Sequence, residues 1–118
     1  MKYVLLIHHG DAPTPYEETW SDLSADEQQE IGRAYGEINQ TPGVTPGIGL
    51  QHPDTATTVR VEDGKTLVTD GPFVAVKEAL GGWFVFEADD LDAAIEMASR
   101  VPAARLGGGV EIRPVAEW

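Results

Sequence analysis

Two stretches of this chain are apolar on both faces of a strand: Tyr3-Val4-Leu5-Leu6-Ile7 near the start and Trp83-Phe84-Val85-Phe86 in the second half. Strand side chains point alternately to opposite faces, so a strand covered on one side alternates apolar with polar residues. These two do not alternate. A sheet built on them has to be shielded on both faces, and a chain of 118 residues has few segments with which to do it.

The remaining signals define what those segments are. Lys2 to His9 reads as the first strand, with Tyr3, Leu5, Ile7 and His9 on one face and Val4, Leu6 and His8 on the other. A loop from Gly10 to Asp22, punctuated by Pro13 and Pro15, follows it. Ser24 and Glu27 then form the Ser-x-x-Glu pattern of an N-terminal capping box. Ile31, Tyr35 and Ile38 recur at helical spacing, which predicts a helix from about Ala25 to Asn39. Pro42-Gly43 and Pro46-Gly47 read as turns that end it.

Thr55 to Glu62 is rich in β-branched residues, and Asp63-Gly64 is a hairpin signal before Lys65 to Thr69. Leu80 to Ala88 is the next strand. Asp89 or Asp90 caps a second helix with a predicted inner stripe of Leu91, Ala94, Ile95 and Ala98. Pro102 limits that helix, and Gly109 to Val115 is the last strand, with Val110 and Ile112 facing inward.

This order fits a single α+β domain: a ferredoxin-like split β-α-β with an extra β-hairpin, its helices on one face of an antiparallel sheet. The helices account for one face only. A second copy joined sheet to sheet is the simplest cover for the other, and an interface of about 800 Å² per partner would place it in the usual size class. A homodimer is therefore expected.

Composition narrows the function classes. There is no cysteine, so disulfides, thiolate metal sites and cysteine nucleophiles are excluded together. Twenty acidic residues against eight basic ones leave a net charge of −12, which would repel a phosphate backbone, so nucleic acid is not an expected partner. The apolar run at Tyr3–Ile7 is far short of the ~20 residues that span a bilayer, and it lacks the flanks of a signal peptide. Neither membrane association nor export is expected, and a cytoplasmic location is the default.

Several motifs fall in register. Ala56-Thr57-Thr58-Val59-Arg60 precedes Asp63-Gly64-Lys65 and Thr69-Asp70-Gly71-Pro72-Phe73. Lys77-Glu78-Ala79-Leu80-Gly81-Gly82-Trp83 follows, with Asp89-Asp90-Leu91-Asp92-Ala93-Ala94 and Val110-Glu111-Ile112-Arg113-Pro114-Val115 behind it. In this order they resemble the YCII-related family, in the branch named for its Asp-Gly-Pro-Phe motif. The resemblance covers nearly the whole chain and implies a dimeric α+β barrel. Some relatives are similar to dehydrochlorinases and lactone isomerases, in which a His-Asp pair is thought to move protons. Members of the branch are associated with alternative sigma factors, which implies an accessory or regulatory role. The relatives' proposed catalytic histidine lies near or in the first helix. This chain has no histidine from Leu23 to Asn39, so that role is not carried over.

The residues themselves offer a small set of candidates. His8 and His9 end the first strand on opposite faces, with Asp11 close behind, so one imidazole could serve as a general base near neutral pH. A strand end with half-exposed histidines is the plainer reading. Asp70 is a carboxylate held by a stiff Gly-Pro turn, suited to orienting such a base, although a turn alone accounts for Gly71 and Pro72. Arg60, Lys77 and Arg113, with Glu78, are candidate ligand contacts, Arg60 or Lys77 neutralising oxyanion charge, and each is equally readable as part of a surface ion pair.

No metal is implied, since His8, His9 and His52 lack zinc-site spacing. Gly81-Gly82 and Gly107-Gly108-Gly109 do not precede helices that could receive a phosphate. They read as bulges or points of close backbone approach, and no cofactor is expected. Two functions are compatible with this set: a module that binds a small molecule or a protein partner, or a small acid–base enzyme of lyase or isomerase type acting on an anionic or aromatic metabolite.

Overall fold

A computed structural model describes residues 1–15, 18–72 and 80–117 of the chain. Six strands and three α-helices run in the order β1 (Lys2–His8), α1 (Ala25–Gln40), β2 (Val44–Gly49), β3 (Thr57–Glu62), β4 (Lys65–Asp70), β5 (Leu80–Glu87), α2 (Leu91–Ser99), α3 (Pro102–Arg105) and β6 (Gly109–Pro114). Four strands form an antiparallel sheet in the order β2-β5-β1-β6, and among the described residues β3 pairs only with β4. Strand β5 therefore lies between β1 and β2, and β1 between β5 and β6. This is the interleaved split β-α-β order of a ferredoxin-like fold, with β3–β4 inserted between its second and third strands.

The helix starts follow the capping chemistry of the sequence. The Ser24 hydroxyl accepts from the Glu27 amide at 3.1 Å while the Glu27 carboxylate accepts from the Ser24 amide, also at 3.1 Å. Asp90 caps α2 by accepting from the Ala93 amide at 2.9 Å. In α2 the buried stripe is Ala94, Met97 and Ala98, and it continues to Val101; Leu91 and Ile95 are each half exposed. This corrects the expected stripe of Leu91, Ala94, Ile95 and Ala98. Both stripes share the two alanines, and the small side chains let α2 lie close to the sheet with Met97 beneath it.

All three helices cover the face that carries Tyr3, Leu5 and Ile7. Leu5, Ile38 and Val101 are fully enclosed there, with Phe84 beside them and Val110 and Ile112 packed at the margin. On the opposite face Val4, Leu6, Trp83 and Val85 form the centre, paired Val4–Val85 and Leu6–Trp83, and all four are only half-buried.

Strand β2 is a second correction, because Pro46-Gly47 reads in sequence as a turn. Here it is a register break between Thr45 and Ile48 within the pairing to β5. Proline lacks an amide for the ladder, but β2 is the sheet's edge, where that loss is tolerated. Gly47 lies so close to β5 that a Cβ would overlap the Trp83 carbonyl.

The β3–β4 hairpin turns at Asp63 and Gly64, both with positive φ (50° and 75°), the geometry preferred for a two-residue hairpin loop. At its root the Gly71 amide donates to Ala56 O at 2.7 Å and Thr58 Oγ1 donates to Gly71 O at 2.7 Å. Beyond that root, β3 and β4 pack on each other and hardly on any other element. The arm raises the radius of gyration to 16.0 Å, against about 13–14 Å for a compact domain of this length.

Candidate functional site

A cavity of about 360 Å³ opens between α1 and the β2 side of the sheet. Its floor is Ile7 and Phe84 from the core face, and its roof is Ile31 and Tyr35 from α1. Pro13, Thr14 and Trp20, from the segment that leads into α1, close one side; Ile48 and Leu50 form the other. The walls are thus mostly aliphatic and aromatic, with Thr14, Asn39 and His9 as the polar side chains beside Tyr35. The volume lies in the range of small-molecule sites.

His9 is held at this cavity by two runs of glycine. On one side its ring rests on Gly81: a Cβ there would overlap Cδ2 and come within 2.7 Å of Nε2. Gly81 is available because the register between β1 and β5 shifts here, with Ile7 opposite Gly82 and His8 opposite Leu80. On the other side Gly108 packs directly on the His8 and His9 carbonyls, where no side chain would fit. The chain then turns sharply, with the Ala12 amide donating to His9 O at 2.7 Å and the Asp11 amide to Gly107 O at 3.3 Å. Both glycine runs are close backbone approaches, Gly81 to the His9 ring and Gly108 to the His8 and His9 backbone. The Nδ1 atom of His9 is buried.

Tyr35 borders the same space. Burial pushes its hydroxyl pKa up, and a hydrogen bond with the Ala103 backbone and the Arg105 guanidinium offset part of that rise. The phenol therefore stays neutral and ties α1 to the start of α3. Gly32, also in the lining, has open space where a Cβ would be, so a larger side chain there would enter the cavity mouth; Gly36 one turn later, outside the lining, has open space as well.

The other candidates lie elsewhere. His8 points to the opposite face of the sheet, with Nε2 3.3 Å from Glu111 Oε1; Arg113 Nε is 3.9 Å from Glu111 Oε2 on that same face. Asp70 is exposed at the root of the arm, opposite Thr57, and is absent from the cavity lining. Arg60 is exposed in the middle of β3. Lys77, Glu78 and Phe73 lie outside the described residues. Of the named residues that are described, then, His9 alone is at the cavity, and no lysine or arginine is among the described residues that line it.

Thr14, Trp20 and Asn39 were not legible as site residues. Tyr35 and Ile31 were legible only as the inward stripe of a helix. The one usable signal was the pair of glycine runs, each set against the end of a strand that finishes in histidine.

Fold and cavity together define a ferredoxin-like α+β domain with a small apolar pocket between its first helix and its sheet. The chain belongs to the YCII-related domain family, which it matches over residues 1–118. It is similar to an uncharacterized protein of Rhizobium meliloti (strain 1021), at 31% identity over 123 residues covering 98% of this chain and 93% of that one. No described helix is long and apolar enough to cross a membrane.

Proposed function

We propose that this protein binds a small, flat, largely apolar molecule in the cavity between α1 and the sheet, oriented by a hydrogen bond to His9. The observation that carries this reading is the seating of the imidazole against Gly81, at the margin of a space whose other walls are mostly aliphatic and aromatic. Walls that are mostly aliphatic and aromatic suit a neutral group such as a phenol hydroxyl, which is less costly to desolvate than a carboxylate.

The test is thermal stabilisation by a panel of phenols and matched benzoates. A ligand at 100 times its Kd adds about 2.7 kcal/mol to stability, which for this chain length is a shift of roughly 10 °C. Phenols are expected to stabilise the wild type and not His9→Ala or Gly32→Leu, which fills the cavity wall. Gly36→Ala should leave the shift intact. A panel without any shift, or an equal shift in His9→Ala, overturns the reading.

A second reading, proton transfer on such a molecule, rests on the same imidazole as base. Asp70 lies outside the lining, so the base would act without the carboxylate expected to orient it. Exchange of a bound compound's C–H for deuterium in D2O, lost in His9→Gln, distinguishes catalysis from binding.

We propose that the face of the sheet opposite the helices receives a second copy of the chain. Lys2 and Arg113 there are matched by Glu87 and Glu111 around an apolar centre, in a chain whose net charge is −12. Two such faces can meet with little of the repulsion that the rest of the surface would impose. A mass in solution near twice 12.7 kDa is the expected result.

A further inference from the structure

The β3–β4 arm presents two unlike faces. Residues directly opposite in an antiparallel pair share a face, so Val59, Val61 and Val68 lie together, with Thr57, Thr66 and Asp70 around them. The other face carries Arg60, Glu62, Lys65 and Leu67. The three valines are 59%, 67% and 64% exposed. A two-stranded hairpin is at best marginally stable alone in water, and among the described residues no other element forms a layer for this one to rest on.

We propose that the arm clasps a second copy of this chain, laying its valine face on the partner. The inference rests on the dimer reading above and adds the element that completes the interface. Two observations single out a second copy as the occupant. The first is area: Val4, Leu6, Trp83 and Val85 are already partly buried within one chain, whereas the three valines of the arm are mostly exposed, so the arm adds apolar surface toward the roughly 800 Å² per partner of a stable interface.

The second is charge. Residues 57–70 hold two basic and three acidic side chains, so nearly all of the net −12 sits on the rest of the chain. The arm is a long, nearly neutral projection that can approach an acidic copy without strong repulsion. The molecule is only 19 Å across its thinnest axis, arm included, so the arm extends within the plane of the slab.

The absence of cysteine makes the test direct. Val61→Cys, labelled with a benzophenone maleimide, should give on illumination a covalent product of twice 12.7 kDa. Sedimentation of Val61→Asp and Val68→Asp should show the dimer Kd raised at least tenfold. Leu67→Asp, on the opposite face of the same hairpin, should leave it within threefold, which separates loss of contact from loss of the hairpin. A wild-type dimer with no cross-link, or equal weakening by Leu67→Asp, overturns the arm and leaves the sheet-to-sheet dimer standing. A monomeric wild type overturns both.

Discussion

Replacing Gly81 by alanine tests the architecture of the site at its most constrained point. The added Cβ would fall on the ring of His9, which has to leave its seat or force the strand apart. Overpacking of this kind costs about 1–3 kcal/mol. Gly81 has no positive φ, so alanine also gains about 0.4–1 kcal/mol by restricting the unfolded chain. The net effect in the wild type is thus a loss of roughly 0–2.5 kcal/mol.

In a His9→Ala background the obstruction is gone, and the same substitution should be neutral or stabilising by up to about 1 kcal/mol. The coupling between the two positions is therefore about 1–3 kcal/mol. Urea unfolding of the four proteins at one protein concentration measures it, and each kcal/mol corresponds to roughly 4 °C in Tm. Additivity within about 0.5 kcal/mol would refute the claim that Gly81 is the seat of His9.

Three further outcomes follow from the structure. Gly47→Ala should cost about 3 kcal/mol, because the obstacle is the Trp83 carbonyl on a central strand; Gly49→Ala, with open space around it, should stay within about 0.5 kcal/mol by the same denaturation. Ser24→Ala should cost about 1 kcal/mol through loss of the cap on α1, read by chemical denaturation with unchanged near-ultraviolet circular dichroism. Tyr35 has a folded pKa raised above the unfolded value of 10, so its contribution is intact below pH 10 and is lost as pH climbs toward the folded value. Wild-type stability should then fall more steeply above pH 10 than that of Tyr35→Phe.

Much of the fold was legible because its signals are local. The Ser24–Glu27 box, the aspartate cap of α2 and the Asp63-Gly64 turn each depend on residues within a few positions of one another, and each forms, with Asp90 rather than Asp89 as the cap. The two glycine runs were legible as bulges or close approaches, although not what approaches them. Strand β2 was missed because Pro46-Gly47 carries a turn's local chemistry, and only its place on the sheet's edge makes an irregular strand acceptable there. The α2 stripe was misjudged because two overlapping sets of apolar residues fit a 3.6-residue period. The choice between them depends on how the helix is rotated where it meets Val101 and α3.

The site was far less legible. His8 and His9 are neighbours with the same chemistry, and the alternation of the strand separates them without saying which face holds a cavity. Asp70, Arg60 and Arg113 carry the charges a site might use, yet the paths of the arm and of β6 leave them off the cavity lining.

Order of elements, helix caps, the hairpin turn and the doubly apolar strands were set by residue types acting on near neighbours, where steric preference and backbone hydrogen bonding decide the outcome. The cavity, the seating of one histidine on a glycine from another strand and the projection of the β3–β4 arm were decided only in three dimensions. Each depends on segments distant in the chain meeting at van der Waals distance, and no local preference encodes that distance.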